Sequence, residues 1–178
     1  WYNKQKWYII NLSQQKGMHN ISLKSREVTM SGNIAIGIQD FSTIIQGNYF
    51  YIDKTPFIKE WWDCGDSATL ITRPRRFGKT LTMSMVEQFF SIDYAGRSDL
   101  FEHLAIWKEE KYRELQGTYP VISLSFARIK ERDYEKTKQK MCEVLRNIYI
   151  KFCYIKDSEK LTDADRAYYE RMLEENIK

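Results

Sequence analysis

The segment Arg73-Pro74-Arg75-Arg76-Phe77-Gly78-Lys79-Thr80 gathers residue types that can hold a polyphosphate. Gly78-Lys79-Thr80 supplies the second half of the pattern G-x-x-x-x-G-K-[ST], which in phosphate-binding loops lies between a strand and a helix. Arg73 stands at the position of the first glycine, so this is a variant of the pattern. A glycine at 78 lets the backbone approach a phosphate with no Cβ in the way. The amides of Phe77, Gly78, Lys79 and Thr80 would bind phosphate oxygens at a helix N-terminus, where the helix dipole adds partial positive charge. Lys79 would reach the β- and γ-phosphates, and the Thr80 hydroxyl would ligate Mg²⁺. The nucleotide-binding candidates are Arg75, Arg76, Phe77, Gly78, Lys79, Thr80 and Leu81, with Thr80 also the metal ligand. No acidic residue occurs between Ser67 and Val86, whereas Arg73, Arg75, Arg76 and Lys79 crowd together. A polyphosphate is the natural counter-charge for such a cluster.

These residues need a particular frame. Ala68-Thr69-Leu70-Ile71-Thr72 is β-rich and of the length of a buried strand, and Pro74 ends it. Past Gly78 the period becomes helical, with Leu81, Met85, Val86, Phe89 and Phe90 on one face, read as core-facing. Upstream, a short helix is predicted from Asp40 or Ser42 to Ile45. A second covers Thr55 to Trp62, with Thr55 as cap and Pro56 at the first helical position. Downstream, a short helix is predicted around Glu109 to Gln116 and a second strand over Val121 to Phe126. A long helix follows from about Arg132 to Ile155, its buried stripe marked by Tyr134, Met141, Leu145, Ile148 and Phe152. Thr162 caps a last helix, with Asp165 three residues on. Residues 1 to 29 are rich in Lys, Gln, Asn and Ser and lack a sustained period. They read as an extension preceding a domain over 30–178. The chain starts at Trp1, which predicts a fragment, a processed product or an extended reading frame, with Met18 and Met30 as candidate starts.

The bulk composition narrows the classes. The chain has 178 residues, 43% hydrophobic and 15% aromatic, enough for one globular domain and too apolar for a disordered chain. The net charge of +4 is too mild for a dedicated nucleic-acid coat. Cys64, Cys142 and Cys153 form no CxxC pair, which argues against a disulfide framework or zinc site and fits reduced thiols in a cytoplasm. His19 and His103 have no ligand partner at metal spacing. No apolar run reaches the roughly eighteen residues of a membrane span.

Gly-Lys-Thr also occurs by chance, and Arg-rich turns often only face solvent. The order strand, Pro break, Gly-Lys-Thr, apolar helix is what favours a phosphate site. A different class stays open: a nucleic-acid-binding module in which the Arg73 to Lys79 cluster grips backbone phosphates without catalysis. A scaffold that binds nothing is a third reading.

The string Ile71 to Leu81, ITRPRRFGKTL, closely resembles the bacterial and archaeal AAA-ATPase-like family. Gly37-Ile38-Gln39-Asp40-Phe41, Tyr51-Ile52-Asp53-Lys54-Thr55, Ser98-Asp99-Leu100-Phe101-Glu102 and Tyr119 to Phe126 resemble it more weakly. The resemblance runs from about Ile34 to the end of the chain. The family's loop also carries Arg in place of the first glycine of a Walker A loop. The resemblance implies that Lys79 and Thr80 serve ATP and Mg²⁺, and that Arg75 and Arg76 touch phosphates or lock the loop. It puts Asp53-Lys54-Thr55 where related ATPases line the base pocket, a turn-and-cap role being the alternative. Similar proteins are longer, with an acidic strand and often a restriction-endonuclease-like domain, through which a nucleic acid would be a partner. Val121 to Ser125 ends in Ser125 rather than Asp, so the Mg²⁺-holding and water-activating carboxylates are expected to be missing. The resulting expectation is an α/β P-loop fold: a parallel sheet flanked by helices, incomplete on its C-terminal side, with exposed edges and self-association following from that.

Overall fold

A computed structural model describes residues 33–74, 76–127 and 129–174. The extension at 1 to 29, with Met18 and His19, lies outside them, as do Met30 and Arg75. Among the described residues six α-helices follow one another: α1 (Phe41–Gln46), α2 (Pro56–Cys64), α3 (Lys79–Phe90), α4 (Glu110–Arg113), α5 (Tyr134–Lys151) and α6 (Asp163–Glu174). Short 3-10 turns occupy Ile92–Tyr94, Ser98–Leu100, Ala105–Lys108 and Cys153–Asp157. The chain divides into two compact units, the first ending at Val121 and the second beginning at Ile122.

The expected parallel sheet is overturned. Among the described residues there is no strand ladder, only an isolated parallel bridge between Ser91 and Tyr119. Ala68 to Thr72 and Val121 to Phe126 carry strand-like residues but form no strand. β propensity measures how well a side chain fits a half-buried pleated surface; it does not by itself pair a backbone. Parallel pairing needs a second segment brought alongside by a crossover. Here Leu70 is 43% exposed and Ile122 51% exposed, so neither segment has the two covered faces of a buried strand.

The first unit is built on helix ends that the sequence dictates locally. Asp40 caps α1, accepting from the Thr43 amide at 2.8 Å. Pro56 opens α2, where its missing N–H costs nothing, and Gly65 ends it at φ 66°. On α3, Met85, Val86, Phe89 and Phe90 are buried and Leu81 packs against them. Phe41, Ile58, Leu100, Phe101, Ile106 and Tyr112 complete the core around that face. Phe41 stacks on Phe101 at 5.1 Å and Trp62 on Phe90 at 5.2 Å. Such aromatic pairs add about 0.5–1.5 kcal/mol each beyond area burial. Beyond the core, Gly117 and Tyr119 donate to the carbonyls of Phe89 and Phe90 at 2.8 Å each, and Ile92 donates back to the Tyr119 carbonyl at 2.9 Å.

In the second unit Asp133 caps α5, accepting from the Lys136 amide at 3.0 Å. Thr162 and Asp165 form a reciprocal capping box at α6: each backbone amide donates to the other's side chain at 3.2 Å. The Tyr149 and Tyr169 rings meet at 5.0 Å, and the Tyr169 hydroxyl donates to the Tyr149 carbonyl at 2.6 Å. The stripe expected to be buried on α5 is largely exposed. Tyr134 is 76% exposed, Met141 and Leu145 are exposed, and only Phe152 is buried. Periodicity identifies an apolar face; burial requires a partner of matching width, and α6 covers only part of it.

Candidate phosphate-binding loop

The loop ends where α3 begins, and Gly78 makes that join. It is the residue before the helix, with φ 73° and ψ 26°, in the left-handed region that a side chain penalises. Its carbonyl accepts from both the amide (2.8 Å) and hydroxyl (3.0 Å) of Thr82, fastening the first turn. The first four N–H groups of a helix have no partner inside it, and they carry the positive end of the dipole. The first turn of α3 contains no acidic residue to answer that charge.

Two residues before Gly78 the chain is left-handed again, at Arg76 (φ 70°). A non-glycine residue in this region costs about 1–2 kcal/mol unless its surroundings hold it, and such conformations gather at functional loops. The loop is also closed on itself. The Lys79 ammonium folds back and donates to the Arg73 carbonyl at 2.5 Å. Arg73 precedes Pro74, which restricts it to extended conformations and so fixes where that carbonyl points. Upstream, the Trp61 indole N–H donates to the Thr69 hydroxyl at 3.0 Å, tying α2 to the segment that leads into the loop.

A further lysine reaches the loop from outside. Lys54 donates from Nζ to the Phe77 carbonyl at 3.0 Å. A Cβ on Gly78 would lie 2.5 Å from that nitrogen. Burial, and then the positive charge of Arg73, hold the Lys54 ammonium below its ordinary pKa. Its neighbours in sequence do something else. Asp53 Oδ1 accepts from the amide (2.8 Å) and hydroxyl (2.6 Å) of Thr55, and Oδ2 accepts from the Ala105 amide at 2.7 Å. The Thr55 hydroxyl in turn accepts from the Ile106 amide at 3.2 Å. Asp53 and Thr55 thus hold the turn and lock the backbone on both sides of Lys54, while the expected capping bond from the Thr55 side chain to α2 is not formed. Burial also pushes the Tyr51 phenol well above its ordinary pKa; the Tyr51 oxygen accepts from the Lys54 amide at 3.3 Å.

The candidate residues are unevenly placed. Arg76, Phe77 and Thr80 are exposed, while Gly78 and Lys79 are half-buried. Arg75 lies outside the described residues. Leu81 turns its side chain to the core, leaving only its backbone at the loop. The resemblance singles out Lys54 only as part of the Asp53-Lys54-Thr55 string; its contact with the loop at the Phe77 carbonyl has no signal in the sequence. Among the described residues, no cluster of three or more His, Cys, Asp or Glu side chains could hold a metal ion. A threonine hydroxyl beside a polyphosphate is nonetheless a donor set that suits Mg²⁺, which keeps several waters and takes phosphate oxygens. No described helix is long and apolar enough to cross a membrane.

An uncharacterized protein encoded in the vnfD 5′ region of Azotobacter chroococcum mcd 1 is 33% identical over 113 residues, covering 63% of this chain. The match takes in 20% of that protein, so the chain spans about one fifth of its relative's length. No solved structure matches. The profile of the AAA-ATPase-like family, described as a predicted AAA-ATPase, matches residues 35–178, from just before α1 to the end of the chain. The chain therefore belongs to the AAA-ATPase-like family.

Proposed function

We propose that this chain binds the polyphosphate of a nucleoside triphosphate, ATP, through a variant Walker A loop from Arg73 to Thr80. The observation that carries the reading is the pairing of Gly78, left-handed at the start of α3, with the Lys79 ammonium folded back to the Arg73 carbonyl. The first-turn amides of α3 and the Lys79 ammonium then belong to one loop, with no acidic residue in that turn. In this reading Lys79 exchanges its carbonyl for a phosphate, and the α3 amides from Lys79 to Leu81 face the anion. The Thr80 hydroxyl holds Mg²⁺, which supplies charge neutralisation at the phosphates. Arg76 lends its charge from the exposed side. The free thiols of Cys64, Cys142 and Cys153 suit a reducing, cytoplasmic setting.

Titration of the full chain with a fluorescent ATP analogue, with and without Mg²⁺, tests this beside Lys79→Ala and Thr80→Ala. Loss of one charged hydrogen bond predicts at least about tenfold weaker binding in Lys79→Ala. Thr80→Ala should weaken binding only when Mg²⁺ is present. Equal binding by wild type and Lys79→Ala, or none by either, would overturn the reading. Steeply salt-sensitive, Mg²⁺-independent binding of an oligonucleotide through the same arginines would put a nucleic-acid module in its place.

A further inference from the structure

We infer that Lys54 is a second cation of the anion site, which exchanges the Phe77 carbonyl for a phosphate oxygen when a triphosphate enters the loop. The inference rests on the nucleotide reading above and adds to it a residue 23 positions away in sequence from the backbone it touches.

Three observations converge. The first is position. The amine already lies against the middle of the loop, 3.0 Å from the Phe77 oxygen and 2.5 Å from where a Gly78 Cβ would be. Glycine at 78 therefore serves two ends: it permits the left-handed turn and it leaves room for the Lys54 amine. The second is charge. Lys54 makes no ion pair among the described residues, and both oxygens of the adjacent Asp53 carboxylate are engaged on Thr55 and Ala105. A half-buried ammonium is thus held beside Arg73 with a single neutral carbonyl as its acceptor. Placing like charges together in a partly desolvated site is unfavourable until an anion arrives, so the arrangement is set for one. The third is rigidity. Thr55 is fully buried, the Asp53 and Thr55 contacts hold the turn to Ala105 and Ile106, and the Lys54 amide is bonded to Tyr51. The backbone that presents Lys54 is fixed before any ligand binds, so little ordering accompanies its contact with a phosphate.

The ligand class follows from this geometry. Lys79 is seated on the Arg73 carbonyl and Lys54 on the Phe77 carbonyl, two separate positions of one loop, which suits a ligand with more than one phosphate. Triphosphate affinity should then depend on Lys54 more strongly than monophosphate affinity does.

The test uses the full chain and two probes, a fluorescent ATP analogue with Mg²⁺ and inorganic tripolyphosphate as its competitor. Lys54→Gln keeps an N–H donor for the Phe77 carbonyl and removes the charge; Lys54→Arg keeps the charge. Lys54→Gln is expected to bind both probes about tenfold or more weakly, with its thermal midpoint unchanged and a flatter salt dependence. Lys54→Arg is expected to recover most of that affinity. If Lys54→Gln binds as wild type while Lys79→Ala does not, this inference falls and the nucleotide reading stands. If Gln and Arg variants lose affinity alike and also melt earlier, Lys54 only supports the loop and the inference falls. Absence of binding by the wild type overturns both.

Discussion

Gln88 of α3 donates from Nε2 to Asp40 Oδ1 at 2.6 Å, joining the helix behind the loop to the cap of α1. The other carboxylate oxygen accepts from the Ser42 hydroxyl (2.6 Å) and from the amide (2.8 Å) and hydroxyl (2.7 Å) of Thr43. Ser84 strengthens the same junction, its hydroxyl oxygen accepting from the Phe41 amide at 3.0 Å and from Gln88 at 3.2 Å. Gln88 is buried, so its contacts cannot be replaced by solvent without opening the helix pair.

Asp40→Ala removes the α1 cap and leaves the buried Gln88 amide with Ser84 alone, and is expected to cost about 2–4 kcal/mol in urea unfolding. Acid should act on the same group. Burial raises the Asp40 pKa, but the hydrogen bonds from Ser42, Thr43 and Gln88 outweigh it and leave it below 3.8. A carboxylate depressed by folding contributes its stability in full above its unfolded pKa and loses it as pH falls through the folded value. Stability should therefore decline below about pH 4, and the decline should be shallower in Asp40→Asn. Asp63, Asp99 and Asp165 are depressed as well, so the difference between the two proteins isolates Asp40.

Gly78→Ala meets two obstacles, a left-handed backbone and the Lys54 amine at 2.5 Å. The amine is the end of a flexible side chain and can swing away, so the stability cost should be modest, about 1–2 kcal/mol from the backbone alone. Nucleotide affinity should fall much further than stability. Thermal melting and analogue titration on the same preparation separate the two, and a variant that keeps full affinity would contradict the geometry of the loop.

Gly117 and Gly96 offer a controlled comparison. Both have positive φ, 66° and 77°, but a Cβ on Gly117 would lie 2.6 Å from the Ala95 Cα, whereas Gly96 has open space. Gly96→Ala should cost about 1 kcal/mol from backbone strain alone. Gly117→Ala should cost clearly more, because backbone must move and the bond from Gly117 to the Phe89 carbonyl moves with it. Equal midpoints in a denaturant series would refute the steric difference.

What could be read from the sequence was what is decided within three or four residues. Asp40 as a cap and Thr162 with Asp165 at α6 are local bonds between a side chain and a nearby amide, and Pro56 at the start of α2 and Gly78 before α3 act through their own backbone dihedrals. The core face of α3 was legible because 12 residues give its period room to show. The parallel sheet failed because pairing depends on a partner segment, which the composition of Ala68 to Thr72 does not reveal. The α5 stripe failed for a related reason, since periodicity does not say how wide a covering helix will be. Lys54 was hidden because its approach to Phe77 is created by the turn that Asp53 and Thr55 anchor to Ala105 and Ile106, contacts more than 50 residues long in sequence.

The bond from Lys79 to the Arg73 carbonyl also changes how affinity at this loop should be understood. On the proposed reading the loop supplies its own competitor for a phosphate, the Arg73 oxygen that already holds the Lys79 amine. Occupation is then a substitution reaction, and its free energy is the difference between two contacts of the same amine. Loosening the Arg73 carbonyl, for instance by releasing the constraint that Pro74 imposes, should tighten anion binding with no new contact to the anion.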